Sequence, residues 1–178
     1  MHRLLQRLVQ HLLRPAGLAG LMVIATSSAH ADVMQRADII LLQPESVLTP
    51  RVPNVQGLAT YIDRATAQAA EVARQAEAGP PTSGFLVIAI RPGLRSNAWL
   101  DFQPPLPPSL ADALVRAVRA VMPPAVRGGP VVLAVKAGLW GGSAPGRDFP
   151  APKEWRAAMD QAGRPLETEA LVERTWRP

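Results

Sequence analysis

"GFLVIAIRPGLRSNAWLDF", residues 84 to 102, decides how this chain folds. After the glycine its first arm is apolar on both alternating sets, Phe85, Val87 and Ala89 on one and Leu86, Ile88 and Ile90 on the other. Such a run fits a strand covered on both faces, near the centre of a sheet. Pro92-Gly93 supplies a turn. The second arm alternates, with Ala98, Leu100 and Phe102 set against Trp99 and Asp101. It reads as the returning strand of a hairpin with one more exposed face.

Each flank of the hairpin reads as a helix. Upstream, Leu58, Ile62, Ala65, Ala69, Val72 and Ala76 recur by threes and fours over residues 54–78, and Gly79-Pro80-Pro81 ends the pattern. The alanine-rich seam suits close packing on a sheet better than a coiled coil. Downstream, "QPPLPP" breaks the chain before Ser109, which with Asp112 fits an S-x-x-D helix start. Leu110, Leu114, Ala117, Val118 and Val121 then form an apolar stripe that stops at Pro123-Pro124. Valine-rich "PVVLAVKA", 130–137, is a further strand.

Farther out, "ADIILL" offers a short strand at 38–42, and Pro44, Pro50 and Pro53 predict an extended connection after it. Near the other end a helix is expected from Pro152, suited to the first helical position, to Ala162, with Gly163 as its stop. Residues 166–176 fit helix and strand equally. The order is (β)αββαβ. It predicts an α+β fold, a two-layer sandwich with helices packed on one face of a small sheet, plus a C-terminal helical appendage. The divisions are a signal peptide at 1–31, an extended segment at 32–53, the core at 54–142 and the appendage at 143–178.

The first residues carry the three parts of a secretory signal. Arg3, Arg7 and Arg14 make a basic start, Ala16 to Thr26 a short apolar run, and Ala29-His30-Ala31 a small-x-small cleavage site. The run is shorter than the roughly 20 residues a spanning helix needs. Cleavage and export to the periplasm or medium are therefore expected, with no transmembrane anchor afterwards. Arginine, alanine, proline and glycine abound, in keeping with a GC-rich bacterial genome.

Loss of the three signal arginines lowers the formal charge from +5 to +2. That leaves no concentrated basic face for nucleic acid. His2, His11 and His30 are the only histidines, and cysteine is absent. The exported chain thus lacks the residues of Ser-His-Asp and Cys-His catalysis and of the usual zinc, copper, haem and iron–sulfur sites. No cofactor and no metal are expected, and the core must hold without disulfides.

From about Ala69 to Trp140 the chain resembles the C-terminal domains of TonB and TolA. The likeness rests on "SGFLVIAIRPGLRSNAWLDF" and on "LADALVRAVRAVMPPAVRGGPVVLAVKAGLW", in which Pro-Pro and Gly-Gly separate helix from strand. It implies a helix, a hairpin, a second helix and a returning strand. Those transducers keep a membrane anchor and a long proline-rich linker. Neither is read here, so energy transduction is not carried over.

Four residues are candidates for partner binding. Trp140 sits between glycines in "GLWGG", and Trp99 lies on the more exposed face of its strand. For each the alternative is a packing role, for Trp140 as a ring folded over the open end of the core. Arg91 and Arg95 flank the hairpin turn and offer an anion clamp, against the commoner case of solvated turn arginines. Asp101, Asp148, Glu154 and Asp160 are the carboxylates from which a glycosidase pair would have to come, and no spacing brings two of them together. The leading expectation is a non-catalytic domain binding an envelope protein or peptide through a strand edge or an aromatic loop. The alternatives are a carboxylate-dependent hydrolase of envelope glycan and a structural accessory subunit. N-terminal sequencing of the exported product is expected to start at Asp32. A product in the membrane fraction that still begins at Met1 contradicts the cleavage.

Overall fold

The computed structural model describes residues 33–176. The segment read as a signal peptide, 1–31, and its expected cleavage site lie outside them. Nine elements follow in order: β1 (Met34–Leu41), α1 (Glu45–Arg51), α2 (Val55–Gln75), β2 (Thr82–Arg91), β3 (Arg95–Gln103), α3 (Pro108–Ala120), β4 (Val131–Leu139), α4 (Lys153–Ala162) and α5 (Thr168–Thr175). The strands form one antiparallel sheet in the order β1-β4-β2-β3.

Strand alternation creates two cores. Leu86, Ile88 and Ile90 of β2 join Leu133 and Val135 of β4 beneath the helices before and after the hairpin. There Ile62, Ala65, Ala69 and Ala73 of α2 and Leu110, Leu114 and Val118 of α3 complete the packing. Alanines along the α2 seam let its backbone approach the sheet closely. Phe85, Val87 and Ala89, with Val132 and Ala134, face the opposite way and meet Trp155 and Ala158 of α4 and Leu171 and Val172 of α5. Burial of each large apolar side chain contributes about 1.5–3 kcal/mol.

The α+β class and the strand–helix order are as expected from the pattern. The appendage does more than extend the two-layer sandwich, because α4 and α5 cover the sheet's second face and add a third layer. A central strand apolar on both sets requires such a cover. Residues 166–176, ambiguous by pattern, form α5.

The N-terminal segment differs from its extended reading. β1 begins at Met34, four residues before the expected start, and pairs with β4 with a bulge between Arg36 and Asp38. After it, α1 forms despite its proline. Pro50 lies in the last turn, where the helix ends one residue later, and Leu48 anchors it in the core. Gln43 closes the corner, its amide oxygen accepting from the Val132 N–H at 2.9 Å and its nitrogen donating to the Pro130 carbonyl at 3.1 Å. The start of α3 also differs. Pro108 is its first residue, Pro107 stands at the cap, and no side chain caps it, so Ser109 falls inside the first turn. Proline's fixed φ favours that earlier start.

Tyr61, the chain's single tyrosine, is buried on α2. Burial pushes its phenol above the ordinary value of 10.0, with the Ser96 hydroxyl acting in the opposite direction. Neither hydroxyl has a well-formed hydrogen-bond partner among the described residues. A raised folded-state value contributes stability that is complete below the unfolded value and is lost as pH rises through the folded one. Tyrosinate absorbance of the folded protein is therefore expected to rise with a midpoint above pH 10.0. The stability of wild type relative to Tyr61→Phe should fall across the same alkaline range. A midpoint at or below the ordinary value contradicts the burial.

Candidate functional site

The sheet ends on β3, which among the described residues pairs with β2 alone. α3 lies on one side of β3 and α4 on the other, and the space between them is a groove of about 360 Å³ running along the strand. Strand pairing explains which groups face it. Ala98 lies opposite Ile88, and its N–H donates at 2.9 Å to the side-chain oxygen of Asn97. In an antiparallel ladder every second residue points its backbone groups away from the neighbouring strand. Ala98, Leu100 and Phe102 therefore turn theirs toward the groove.

Side chains alternate on the same strand. Ala98 and Phe102, with half-buried Leu100, pack on the α3 side, whereas Trp99 packs on the α4 side. Leu106, Ala111 and Val115 extend the apolar wall, and Lys153, Glu154 and Arg156 form the wall opposite.

Asp101 holds this arrangement together. It is 6% exposed. Its Oδ2 accepts from Arg147 Nη1 and from the Ala151 N–H at 2.5 Å, while Arg147 Nη2 donates to the Asp101 carbonyl at 2.8 Å. The guanidinium also lies 4.9 Å above the Phe85 ring. These contacts dock the segment that leads into α4 and so place the groove's second wall. Arg147 carried no signal in the sequence, since it lies in an irregular loop far from its partner. Asp101 reads as part of the more exposed face of its strand, and only the cover brought by the α4 lead-in makes it a buried carboxylate that needs a cation.

The four candidates do not form one site. Trp99 is 4% exposed, contrary to the exposure expected of its face. Its ring packs against Trp155 at 5.7 Å and Trp176 at 6.5 Å, because α4 and α5 cover that face. Arg91 lies 4.0 Å over the Trp176 ring, with Glu173 at 2.5 Å, so its guanidinium is engaged at the end of α5. Arg95 is its cross-strand partner and is exposed.

Trp140 is half-buried against the first core, with its ring over Gly79. Its glycine neighbours serve backbone packing. A Cβ on Gly142 would meet the Thr82 carbonyl oxygen at 2.0 Å, and one on Gly138 would meet the Gly142 oxygen at 1.7 Å. Tight return of the chain also puts Trp140 itself at φ 51. The loop that looked open to a ligand is folded onto β2.

Of the carboxylates, Asp101 and Glu154 both line the groove, as does Asp112, and Asp148 and Asp160 do not. The Asp101 carboxylate is occupied by protein donors. Among the described residues no cluster of three or more acidic, histidine or cysteine side chains is placed to hold a metal ion. Among them, too, no helix is long and apolar enough to cross a membrane.

Comparison with protein-family models, with curated proteins and with solved structures gives no match in any of the three.

Replacement of Asp101 by alanine leaves the partly buried Arg147 without its carboxylate and frees the Ala151 N–H. Breaking a buried pair by removing one partner typically costs about 3–5 kcal/mol. Denaturant titration is expected to show a loss of that size for Asp101→Ala. A loss under about 1 kcal/mol, the range of a surface pair, contradicts the anchoring role.

Proposed function

We propose that this chain is an exported, non-catalytic domain that binds an extended segment of an envelope protein by adding it to the sheet beside β3. One observation carries the reading: the terminal strand runs along an open groove with its outward backbone groups facing that groove. Strand addition takes affinity from main-chain hydrogen bonds and specificity from the pockets that receive alternate side chains. An incoming strand lies about 4.8 Å from its neighbour, and the space between α3 and α4 borders β3 directly.

The opposite edge supports the choice of β3. β1 carries a bulge, Arg36 and Asp38, and Arg36 is paired with Asp63 of α2. Charges and bulges are the usual means of keeping an edge from pairing. An aromatic-loop contact through Trp140 draws less support, since the ring is already packed over Gly79. A glycan hydrolase is disfavoured by the commitment of Asp101 to Arg147 and Ala151. The likeness to TonB and TolA domains supports the choice of element order and nothing further.

The test is retention of partner from periplasmic extract by the exported chain and two variants. Leu100→Pro removes an outward N–H, a change an edge strand tolerates. Ala111→Trp fills the groove from α3 and leaves every residue of β3 in place. Both are expected to lower retention at least about tenfold, a loss of about 1.4 kcal/mol, while each variant stays folded at the assay temperature by circular dichroism. Undiminished retention by both folded variants overturns the reading.

A further inference from the structure

The two walls of the β3 groove differ in chemistry, and that difference specifies what an added strand must look like. Residues directly opposite one another in paired strands project to the same face of the sheet. Ligand residues opposite Ala98, Leu100 and Phe102 therefore face the α3 wall, which Leu106, Ala111 and Val115 make apolar. Ligand residues opposite Trp99 and Asp101 face the α4 wall, where Lys153 and Arg156 stand at 82% and 53% side-chain exposure.

The charge on that second wall is unbalanced. Asp101 is already matched by Arg147. Glu154 is the one other carboxylate lining that side, 4.0 Å from Lys153, and it leaves Arg156 with only the Ala151 carbonyl and a distant Asp101 oxygen at 3.9 Å. On the first wall Arg116 and Arg119 form no ion pair among the described residues, and Asp112, also of α3, is the acidic residue lining that side.

We infer that the groove selects an extended segment with a period of two, apolar side chains toward α3 alternating with carboxylates toward Lys153 and Arg156. This rests on strand addition at β3 and names the chemistry of the added strand. A segment of the same composition with its apolar and acidic residues in separate blocks cannot satisfy both walls. Lysine in place of the carboxylates meets like charge. Partner recognition here is therefore a matter of pattern as well as of backbone pairing.

Three fluorescent peptides as long as β3 test the inference by polarisation against the exported chain. One alternates valine and glutamate, one alternates valine and lysine, and one has the first peptide's composition arranged in two blocks. The alternating glutamate peptide is expected to bind at least about fivefold tighter than either of the others, from two exposed charge pairs. Lys153→Glu combined with Arg156→Glu is expected to reverse the order of the two alternating peptides. Lys153→Gln alone, at an exposed position, should weaken the glutamate peptide about twofold and leave the lysine peptide no weaker.

Equal binding of all three peptides, lost in Leu100→Pro, overturns the pattern and leaves edge pairing standing. Tight binding of the glutamate peptide that survives Leu100→Pro reduces the site to surface charge and overturns both. Absence of binding by all three also overturns both. Self-association of the chain that competes with the glutamate peptide gives the edge to a second copy and overturns the inference.

Discussion

A single buried carboxylate organises the face of the molecule that matters most for its proposed role. Asp101 sits on the terminal strand, and its partners Arg147 and Ala151 lie in the segment that follows β4. That segment must cross from the middle of the sheet to its edge before α4 can begin. The ion pair and the main-chain N–H bring it there and hold it. Without them the polar ties of α4 to β3 would reduce to the 3.9 Å approach of Arg156 to Asp101, and the groove's second wall would rest on the packing of Trp155 against Trp99. The desolvation of a buried carboxylate is costly, and two further features offset it here. The guanidinium donates twice, to side chain and to main chain, and it lies over the Phe85 ring.

Once docked, the C-terminal helices are sealed by aromatic packing. Trp99, Trp155 and Trp176 meet at tilted and edge-on angles, which the ring quadrupoles favour. Arg91 closes the cluster by lying over Trp176. At the other end of α5 the Thr168 hydroxyl donates to the Leu42 carbonyl at 3.0 Å, and Arg51 of α1 reaches Glu169 at 2.7 Å. The last helix is thereby fastened to the beginning of the described chain. A protein without cysteine gains through these contacts part of the closure that a disulfide supplies in many small domains.

The two sheet edges share one device and differ in everything else. On each, a side chain takes the outward N–H of the residue that follows it: Asp38 for Ile39 and Asn97 for Ala98. Occupying an edge donor in this way discourages indiscriminate pairing. At β1 the bulge and the Arg36–Asp63 pair add to the protection. At β3 the guard is a neutral amide inside a groove, which an incoming strand can displace at lower cost than an ion pair. The contrast between a charged, irregular edge and a recessed, regular one is the reason the proposed partner strand is assigned to β3 and not to β1.

Residues 84–102 by themselves determined the hairpin, and the two apolar sets of β2 required cover on both faces of the sheet. Those are local properties, because alternation and turn chemistry act between near neighbours. The flanking helices α2 and α3 were legible for the same reason, through their apolar stripes. Three things were not. The strand order β1-β4-β2-β3 left β3 at the edge, which depends on where β4 inserts and not on any residue of β3. The roles of Trp99 and Trp140 turned on distant cover, since α4 and α5 bury the first and Gly79 and Thr82 lie under the second and its loop. The pairing of Asp101 with Arg147 joins residues 46 positions apart through an irregular loop, and no periodicity records such a contact. Short-range pattern decided which segments fold as strand and helix, whereas the groove, its charge and its open edge arise only where segments distant in the chain meet, because only there do burial and ion pairing select among the arrangements the pattern allows.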